Sequence, residues 1–306
     1  MAKKVNTEET NEAERITDAD KQEGLKNCYD ITFFFEVEDS NPNGNPDAEN
    51  APREYPETGI GYVTDACIKR KIRNYVNILK EGTPGYNIYV REKAVLNRLQ
   101  GLAYEYLNED PKDKKVCKDQ DKLKELSSFM CRNYYDIRAF GAMMNTEVNC
   151  GIVIGPVSVR FSKSIDPISP QRVTITRMAV TNEADIDKER TMGAKWVIPY
   201  ALYRCDITVD ARLAQRTGFS ETDLQLLVDA IQNMFEYDRS SARAQIAVRK
   251  VVMFKHQSDL RNAPKHVLMD MIKVQKNTEV PQKFSDYTFT EDYSELSSGV
   301  EVQNSL

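Results

Sequence analysis

The chain has 306 residues, of which 41% are hydrophobic and 29% are charged, enough for one large domain with insertions or for two small domains. No stretch approaches the ~20 apolar residues of a membrane span, and the polar start MAKKVNTEETNEAER lacks the apolar segment of a secretory signal. Six cysteines without a C-x-x-C pair argue against a zinc ribbon and favour reduced thiols in an intracellular protein.

The formal net charge of −5 is concentrated at the two ends of the chain. Residues 1–26 hold seven acidic and five basic side chains, and residues 277–306 hold six acidic and one basic. Residues 27–276 are therefore slightly basic. Because a nucleic-acid-binding protein needs a local basic stripe rather than a basic total, the charge balance does not exclude that function.

Both acidic ends are predicted to be tails, with residues 1–26 disordered and residues 277–306 an acidic C-terminal tail. The first predicted element between them is a strand, Tyr29 to Val37, in which apolar and polar residues alternate. Phe34 is the exception, an aromatic residue on the polar face. A loop rich in Asn, Pro and Gly follows, Ser40 to Gly61, and loops of this length usually have a function.

A helix that starts at Thr64 or Asp65 is predicted next, and it contains the basic sequence IKRKIR. Residues 80–134 are charged and helical in pattern, and we interpret them as an insertion. The apolar, glycine-rich segment after them predicts strands at 152–154 and 157–161.

Residues 170–195 are predicted to be a polar hairpin that leaves the core. Alternation over residues 201–209 predicts a strand, Ser220 caps a helix with an apolar stripe, and residues 248–254 form a further strand. This order of elements favours an α+β fold with a split β-α-β, ferredoxin-like core in residues 27–276. The same core is the skeleton of the RNA-recognition motif.

Side chains that usually carry catalysis are scarce. His256 and His266 are the only histidines, and their positions favour structural or solvated roles. The phosphate-binding pattern G-x-x-x-x-G-K-[ST] is missing from the sequence. Four carboxylates of the long loop could bind Mg²⁺, although a solvated loop with Asx-turns is the more common explanation. They are Asp47, Glu49, Glu54 and Glu57.

Two segments of the predicted core could contact RNA. On the basic helix, Lys69, Arg70 and Arg73 share one face with Lys71 at its flank, and such a face is either simply solvated or contacts phosphates. The segment DIRAFGAM, residues 136–143, places an arginine, an aromatic residue and a glycine near the start of a strand. Its phenylalanine could stack on a base or pack in the core.

The predicted hairpin is a third candidate. It is basic and has an apolar tip at Met178, so it could wedge between bases or be an ordinary surface hairpin. Its basic residues are Arg172, Arg177, Lys188, Arg190 and Lys195.

The run NPNGNPD…PRxxPETGxGxVTDxCIKRKIRNYV resembles the backbone subunit of CRISPR Cascade complexes, the Cas-seven type within the repeat-associated mysterious protein superfamily. Further matches follow in order: DIRAFGAMM, GPVSVRFSKSIDPI, ITRMAVT, RTMGAKWVIPYALYR, TGFSETDLQLLVDAIQNMFEYDRSSAR and FKHQS…NAPKHVL. The last three resemble subtype I-C rather than its I-B relative. The resemblance covers roughly Tyr29 to Lys273.

The resemblance implies an RNA-recognition-motif-like palm, a helical finger insertion at 80–134 and a protruding thumb hairpin at 170–195. Copies of such a subunit stack in a helical filament along one CRISPR RNA, and each thumb displaces a guide base. The resemblance also implies RNA contacts by Asn43, Lys69, Arg70, Arg73, Arg138, Phe140, Gly141, Arg172, Arg177, Met178 and Lys195.

By this resemblance the chain is a non-catalytic, guide-RNA-binding subunit of a type I-C Cascade complex in a prokaryotic cytoplasm, without metal or cofactor. Its partners are CRISPR RNA, target DNA through guide pairing, further copies of itself, other Cascade subunits and a recruited nuclease-helicase. Two alternatives stay open. One is metal-dependent RNA cleavage, as in related type III backbone subunits, with Asp47 or Glu49 as the acidic residue. The other is an interaction module that recruits a nuclease.

Overall fold

The computed structural model describes residues 23–113, 116–184, 191–238 and 240–304. They form two compact units. We call residues 23–26, 73–158 and 209–227 the helical unit, and residues 27–72, 159–208 and 228–304 the sheet unit. Residues 1–22 of the predicted N-terminal tail lie outside the described residues.

Helices and strands alternate along the chain, which confirms the predicted α+β class. The strands are β1 (Tyr29–Ser40), β2 (Gly44–Asn45), β3 (Ala51–Pro52), β4 (Ile60–Val63), β5 (Gly141–Asn145), β6 (Asn149–Ile154), β7 (Val157–Val159), β8 (Ser162–Pro167), β9 (Gln171–Arg177), β10 (Thr191–Val209), β11 (Gln245–His256), β12 (Ile272–Lys276), β13 (Tyr287–Glu291) and β14 (Val300–Asn304). The helices are α1 (Asp65–Leu79), α2 (Leu96–Leu107), α3 (Gln120–Asn133), α4 (Tyr135–Phe140), α5 (Ala211–Thr217), α6 (Glu221–Tyr237) and α7 (Lys265–Asp270).

The sheet unit is built on one central sheet with the strand order β14-β11-β1-β10-β8-β4. β1 pairs antiparallel with β11, and β8 pairs antiparallel with both β10 and β4. Along the chain, β1, α1, β8, β10, α6 and β11 follow the β-α-β-β-α-β order of the predicted ferredoxin-like core. β14 and β4 extend this core at its two edges.

β1 is buried on both faces, although its sequence pattern predicts only one buried face. On one face, the ring of Phe35 lies 5.2 Å from that of Tyr203 and 5.0 Å from that of Phe235. On the other face, Phe34 is fully buried and meets Phe289 edge to face at 4.9 Å. The exceptional aromatic residue of the polar face therefore marks a second hydrophobic core.

The prediction of an acidic C-terminal tail is wrong for residues 277–304. β13 pairs with β12, and β14 pairs with β11 as an edge strand of the central sheet. Tyr287 and Val300 are buried in the core around Phe34. The strands β13 and β14 carry an apolar residue at every second position, although the segment as a whole is acidic. Burial of their apolar faces outweighs the charge that suggested a solvated tail.

The predicted N-terminal tail also ends earlier than its composition suggests. Leu25 is only 1% exposed, and its backbone N donates to the carbonyl oxygen of Phe219 at 2.9 Å. Residues 23–26 therefore belong to the helical unit rather than to a disordered tail.

The docked C-terminal segment leads to a stability prediction. The hydroxyl of Tyr287 donates to Asp166 Oδ2 at 2.9 Å. Burial raises the pKa of Tyr287 most, and the hydrogen bond to Asp166 raises it further. We expect Tyr287→Phe to lower the free energy of unfolding by about 1–2 kcal/mol, because the carboxylate loses a donor. Urea denaturation would measure this, with exposed Val280→Ala as the control. A variant as stable as the wild type would contradict docking through this contact.

The helical unit contains the helices α2 and α3 within residues 80–134, the range of the predicted insertion, and also includes residues outside that range. α2, α3 and the hairpin β5–β6 surround one core that includes Tyr104, Phe129 and Met144. α5 belongs to the same unit and was not predicted; Asp210 caps it by accepting from the backbone N of Leu213 at 3.0 Å. Among the described residues, no helix is long and apolar enough to cross a membrane.

Candidate nucleic-acid interface

The basic sequence IKRKIR lies in α1, and the long loop before it holds the start of this helix. Thr64 is the N-cap, and its Oγ1 accepts from the backbone N of Cys67 at 3.3 Å. Asn43 Oδ1 accepts from the backbone N and the hydroxyl of Thr64 at 3.0 and 3.1 Å. Asn43, a predicted RNA contact, therefore has a structural task in joining the loop to α1.

α1 directs its basic side chains in two directions. Arg70 is exposed, and Lys69 is partly exposed and pairs with Asp65 Oδ2 at 3.0 Å one turn earlier. Lys71, by contrast, is 4% exposed and forms an ion pair with Asp238. Lys69 and Arg70 can thus offer their charge to a phosphate, whereas Lys71 fixes α1 within the sheet unit.

Arg73 and Phe140, both predicted RNA contacts, lie together in the helical unit. Arg73 Nε donates to Asp136 Oδ2 at 2.8 Å, and its guanidinium lies 5.3 Å from the ring centroid of Phe140. Asp136 is 1% exposed and also accepts from the backbone N of Tyr89 and Val90. With its side chain only 13% exposed, Arg73 chiefly holds this buried carboxylate.

The geometry does not support the predicted RNA contact of Arg138. Its guanidinium is 4% exposed and forms a bidentate ion pair with Asp223, with both N–O distances 2.8 Å. It also donates to the carbonyl oxygens of Gly85 and Cys131 at 3.0 and 2.8 Å. Burial alone lowers the pKa of Arg138, but the charge of Asp223 and its hydrogen bond raise it above the usual value. Arg138 therefore stays charged inside the unit, with its donors already used.

Gly141 is needed for close backbone packing, whereas the predicted role of this residue is an RNA contact. Its φ is +76°, and a Cβ there would lie 2.3 Å from the carbonyl oxygen of Val153. A Cβ on Gly155 would lie 2.3 Å from the backbone N of Gly141. The two glycines thus let the strands β5 and β6 meet where α4 ends. Approach to RNA is not required to explain them.

The predicted hairpin is present as β9 and β10, paired antiparallel from Arg177 opposite Thr191 to Gln171 opposite Val197. All residues of β9 are exposed, and so is Met178, at 72%. Arg172 Nη2 lies 3.6 Å from Glu49 Oε2. Lys195 Nζ donates to the carbonyl oxygen of Ser241 at 3.2 Å.

The tip of this hairpin is only partly described. Arg177 folds back on its own turn, donating to the carbonyl oxygen of Ala179 at 2.9 Å and to the hydroxyl of Thr181 at 2.7 Å. The predicted basic residues Lys188 and Arg190 lie outside the described residues. The described part of the hairpin is nevertheless an exposed, basic and partly apolar ribbon.

The carboxylates of the long loop do not gather into a metal site. Asp47 is exposed, and Glu49 is also exposed and points to Arg172. Within residues 23–113, 116–184, 191–238 and 240–304, no three His, Cys, Asp or Glu side chains are placed to hold a metal ion.

His256 has a structural position, as its sequence context predicts. It is fully buried at the end of β11, and its Nε2 lies 3.0 Å from Asp30 Oδ2. Its Nδ1 accepts from the backbone N of Asn262 at 3.0 Å. Both ring nitrogens of His256 therefore have a hydrogen-bond partner.

Cys131 of the helical unit is also a structural residue. Burial raises the pKa of its thiol to about 12, which keeps the thiol protonated and unreactive at neutral pH.

An aromatic cluster on the sheet unit was missed from the sequence. Tyr62 of β4 stacks on Tyr55 with centroids 4.7 Å apart and on Phe161 with centroids 5.8 Å apart and planes inclined by 5°. Phe161 is 45% exposed, and Lys163 Nζ lies 5.5 Å from the ring centroid of Tyr55. We call these four residues the edge stack. The spacing Phe161-x-Lys163 at the start of β8 was the available signal, but Tyr55 and Tyr62 are about 100 residues away in the sequence.

The described geometry combines exposed cations, a basic hairpin and a ferredoxin-like sheet. Independently of this geometry, the amino-acid sequence matches a family model. The model for CRISPR-associated protein Cas7 covers residues 27–292. The chain belongs to the Cas7 family. A CRISPR-associated protein Cas7 from Haloferax volcanii is 26% identical over 234 residues, and the match covers 66% of this chain and 62% of that protein. The match thus spans less than two thirds of the length of this Cas7 relative.

Three solved structures resemble this Cas7-family chain. A chain of a CRISPR RNA-guided surveillance complex in a pre-nicking state has a TM-score of 0.48 and 15% identity, covering 74% of this chain and 78% of its own. A chain of a second CRISPR RNA-guided surveillance complex has a TM-score of 0.44 and 14% identity, and the match covers 74% of this chain and 68% of that one. A chain of a type III-B Cmr-beta complex bound to cognate target RNA has a TM-score of 0.40 and 12% identity, and the match covers 74% of this chain and 60% of that one. Similarities this weak carry no argument about function.

Proposed function

We propose that this protein is a non-catalytic subunit that binds guide RNA and forms the backbone of a CRISPR surveillance complex of subtype I-C. The observation that carries the proposal is the match of residues 27–292 to the Cas7 family. The subtype rests on motifs such as RTMGAKWVIPYALYR and FKHQS…NAPKHVL, which resemble subtype I-C.

The exposed cations are the groups that would hold the RNA. Lys69 and Arg70 on α1 and Arg172 on β9 keep their charge at the surface of the sheet unit. Contacts from such side chains to phosphates supply affinity without sequence information. Base pairing between the guide and its target then reads the sequence, as in other RNA-guided systems. Arg73 and Arg138 instead form ion pairs with Asp136 and Asp223 inside the helical unit.

The proposal includes its partners. They are CRISPR RNA, target DNA paired to the guide, further copies of the chain, other Cascade subunits and a recruited nuclease-helicase, in a prokaryotic cytoplasm. Copies along one RNA must contact each other head to tail, since identical subunits in a row form heterologous interfaces. The exposed hairpin β9–β10 is the proposed thumb that displaces a guide base, with Met178 near its tip.

Purification tests the proposal directly. The protein would be purified from cells that contain a CRISPR array and its processing enzyme, without nuclease treatment. We expect a high absorbance at 260 nm relative to 280 nm, and bound RNA that carries CRISPR repeat sequence. Protein that stays free of RNA under these conditions would refute guide binding and favour the interaction-module alternative. Assembly with subtype I-B rather than I-C subunits would refute only the subtype.

A salt titration tests the cations of α1. We expect Lys69→Ala/Arg70→Ala to reduce the slope of log Kobs against log salt by about 1.4, because each lost phosphate contact on a single strand contributes about 0.7. The affinity should fall about equally for all RNA sequences. Lys112→Ala/Lys283→Ala, which removes two exposed lysines elsewhere, is the matched control. An unchanged slope would exclude these residues from the interface.

We also propose that the chain is not an enzyme. Asp47 and Glu49 lie exposed on the loop, and Glu49 pairs with Arg172 of the hairpin at 3.6 Å. Labelled complementary RNA, incubated with the RNA-bound protein and Mg²⁺, should therefore stay intact. Cleavage that requires the metal and is lost in Asp47→Ala would instead support the type III-like alternative.

A further inference from the structure

One face of the central sheet is largely covered by the chain itself. On β1 and β10, the side chains of Phe34 and Leu202 on this face are buried beneath residues 263–302. Arg204 lies on the same face, with its guanidinium 5.8 Å from the ring of Phe34 and its donors on the carbonyl oxygens of Met269 and Ile272. On this face, the side chains of Phe34 and Leu202 are therefore closed to a ligand.

The cover ends at β8, and the edge stack begins there. Tyr62 of β4 pairs with Lys163 of β8, which in turn pairs with Arg204 of β10, so these three side chains share the covered face. Tyr287 reaches only as far as Asp166, at 2.9 Å. Beyond it, Phe161 is 45% exposed.

The backbone beneath the edge stack is tightly held. Gly61, next to Tyr62, donates its backbone N to Ser164 Oγ at 2.9 Å. A Cβ on Gly61 would lie 2.4 Å from the hydroxyl oxygen of Tyr203, so this strand packs directly on the core. The rings of the edge stack are therefore presented by a fixed support. Such preorganisation reduces the entropic cost of binding a flat ligand.

The order of the rings determines where a ligand can add. Tyr62 is the middle ring, with Tyr55 on one side and Phe161 on the other. Lys163 Nζ lies 5.5 Å from the ring centroid of Tyr55. Phe161 stands at the other end and is the most exposed of the three rings, so a further planar group can extend the stack there.

The charge around the stack selects the kind of planar group. Lys163 is exposed, and Arg160 has half of its side chain exposed, with a loose 4.0 Å contact to Asp206. Aromatic rings flanked by exposed cations suit the bases and phosphates of single-stranded nucleic acid. An aliphatic protein surface would leave these cations without partners.

We propose that the edge stack is a base-stacking platform, in which Phe161 stacks on one base of single-stranded nucleic acid while Lys163 and Arg160 contact the neighbouring phosphates. The proposal rests on the proposed function, which supplies this strand as CRISPR RNA. It adds a contact at the β4–β8 edge of the sheet, separate from α1 and the hairpin β9–β10.

Binding of oligonucleotides to the full-length protein, freed of RNA at high salt, tests the platform. The probes are an oligouridylate of about 12 nucleotides, its DNA counterpart, and an abasic oligomer of the same length. We expect Phe161→Ala to weaken oligouridylate binding about tenfold and to leave binding of the abasic oligomer unchanged. Phe161→Tyr keeps the ring and should bind as the wild type does. Val280→Ala, also an exposed apolar residue, is the matched control.

The outcomes separate the platform from the proposed function. If the wild type binds oligouridylate and Phe161→Ala binds it equally well, the platform is refuted and guide binding stands. If Phe161→Ala changes only self-association in sedimentation, the edge stack is a protein contact and the platform is refuted. If the wild type binds none of the probes, both proposals fail. A thermal melt of Phe161→Ala that matches the wild type shows that a lost affinity does not come from unfolding.

Discussion

Replacing Arg138 with alanine is expected to lower the free energy of unfolding by about 3–5 kcal/mol. The substitution leaves Asp223, which is fully buried, without its bidentate partner. Hydrogen bonds from the backbone N and the hydroxyl of Ser220 remain, but they do not neutralise the charge. The carbonyl oxygens of Gly85 and Cys131 also lose their donor. With a further bond to the carbonyl oxygen of Arg132, a single buried substitution therefore removes one charge and five hydrogen bonds.

Urea denaturation followed by circular dichroism would measure this loss. Arg138→Lys should lose most of the same stability, because an ammonium cannot reproduce the planar, bidentate geometry of the guanidinium. Arg70→Ala, at an exposed site of α1, is the control and should change stability by less than about 0.5 kcal/mol. An Arg138→Ala protein that unfolds like the wild type but no longer binds RNA would restore the original interpretation of Arg138 as an RNA contact.

Replacing Gly141 with alanine is expected to cost about 3–5 kcal/mol, for two independent reasons. The φ of +76° is strained for any residue with a Cβ, which costs about 1–3 kcal/mol. The Cβ would also lie 2.3 Å from the backbone oxygen of Val153, and relieving such overpacking costs a similar amount. Because the obstructing atoms are backbone atoms, no side-chain rotation can remove the contact.

Two other glycines of the helical unit separate these causes. Gly151 has a φ of +80° but open space around it, so Gly151→Ala should cost only the strain, about 1 kcal/mol. Gly101 lies in α2 with open space and without a positive φ, so Gly101→Ala should stabilise the protein by about 0.5–1 kcal/mol. Equal losses in Gly141→Ala and Gly151→Ala would show that the β5–β6 approach is not as close as described.

Both expectations concern DIRAFGAM, the segment that looked most like an RNA path. Its Asp136 and Arg138 each sit in a buried ion pair, with Arg73 and with Asp223. Phe140 lies against the guanidinium of Arg73. The segment is better explained as the polar framework of the helical unit. Buried polar groups of this kind are costly to disturb, and so their residue types are as restricted as those of a binding site.

Local signals in the sequence determined several of the elements. Alternation of apolar residues predicted β1 and the second half of β10, because side chains of a strand point to opposite faces in turn. The caps of α1 and α6 were also readable: Thr64 accepts from Cys67, and Ser220 exchanges hydrogen bonds with Asp223. A cap acts over three residues, so its pattern is present in the local sequence. Motifs along the chain likewise indicated the family that the match to residues 27–292 shows.

Only the tertiary structure decided which basic residues are available to a ligand. Arg73 and Asp136 are 63 positions apart, Arg138 and Asp223 are 85 apart, and Lys71 and Asp238 are 167 apart. The same holds for the edge stack and for the strands hidden in the acidic C-terminal segment. The sequence shows which charged and aromatic residues the chain contains, but long-range packing determines which of these side chains contact each other. Because a buried charge needs a partner whereas an exposed one does not, that pairing separates structural arginines from those that can bind RNA.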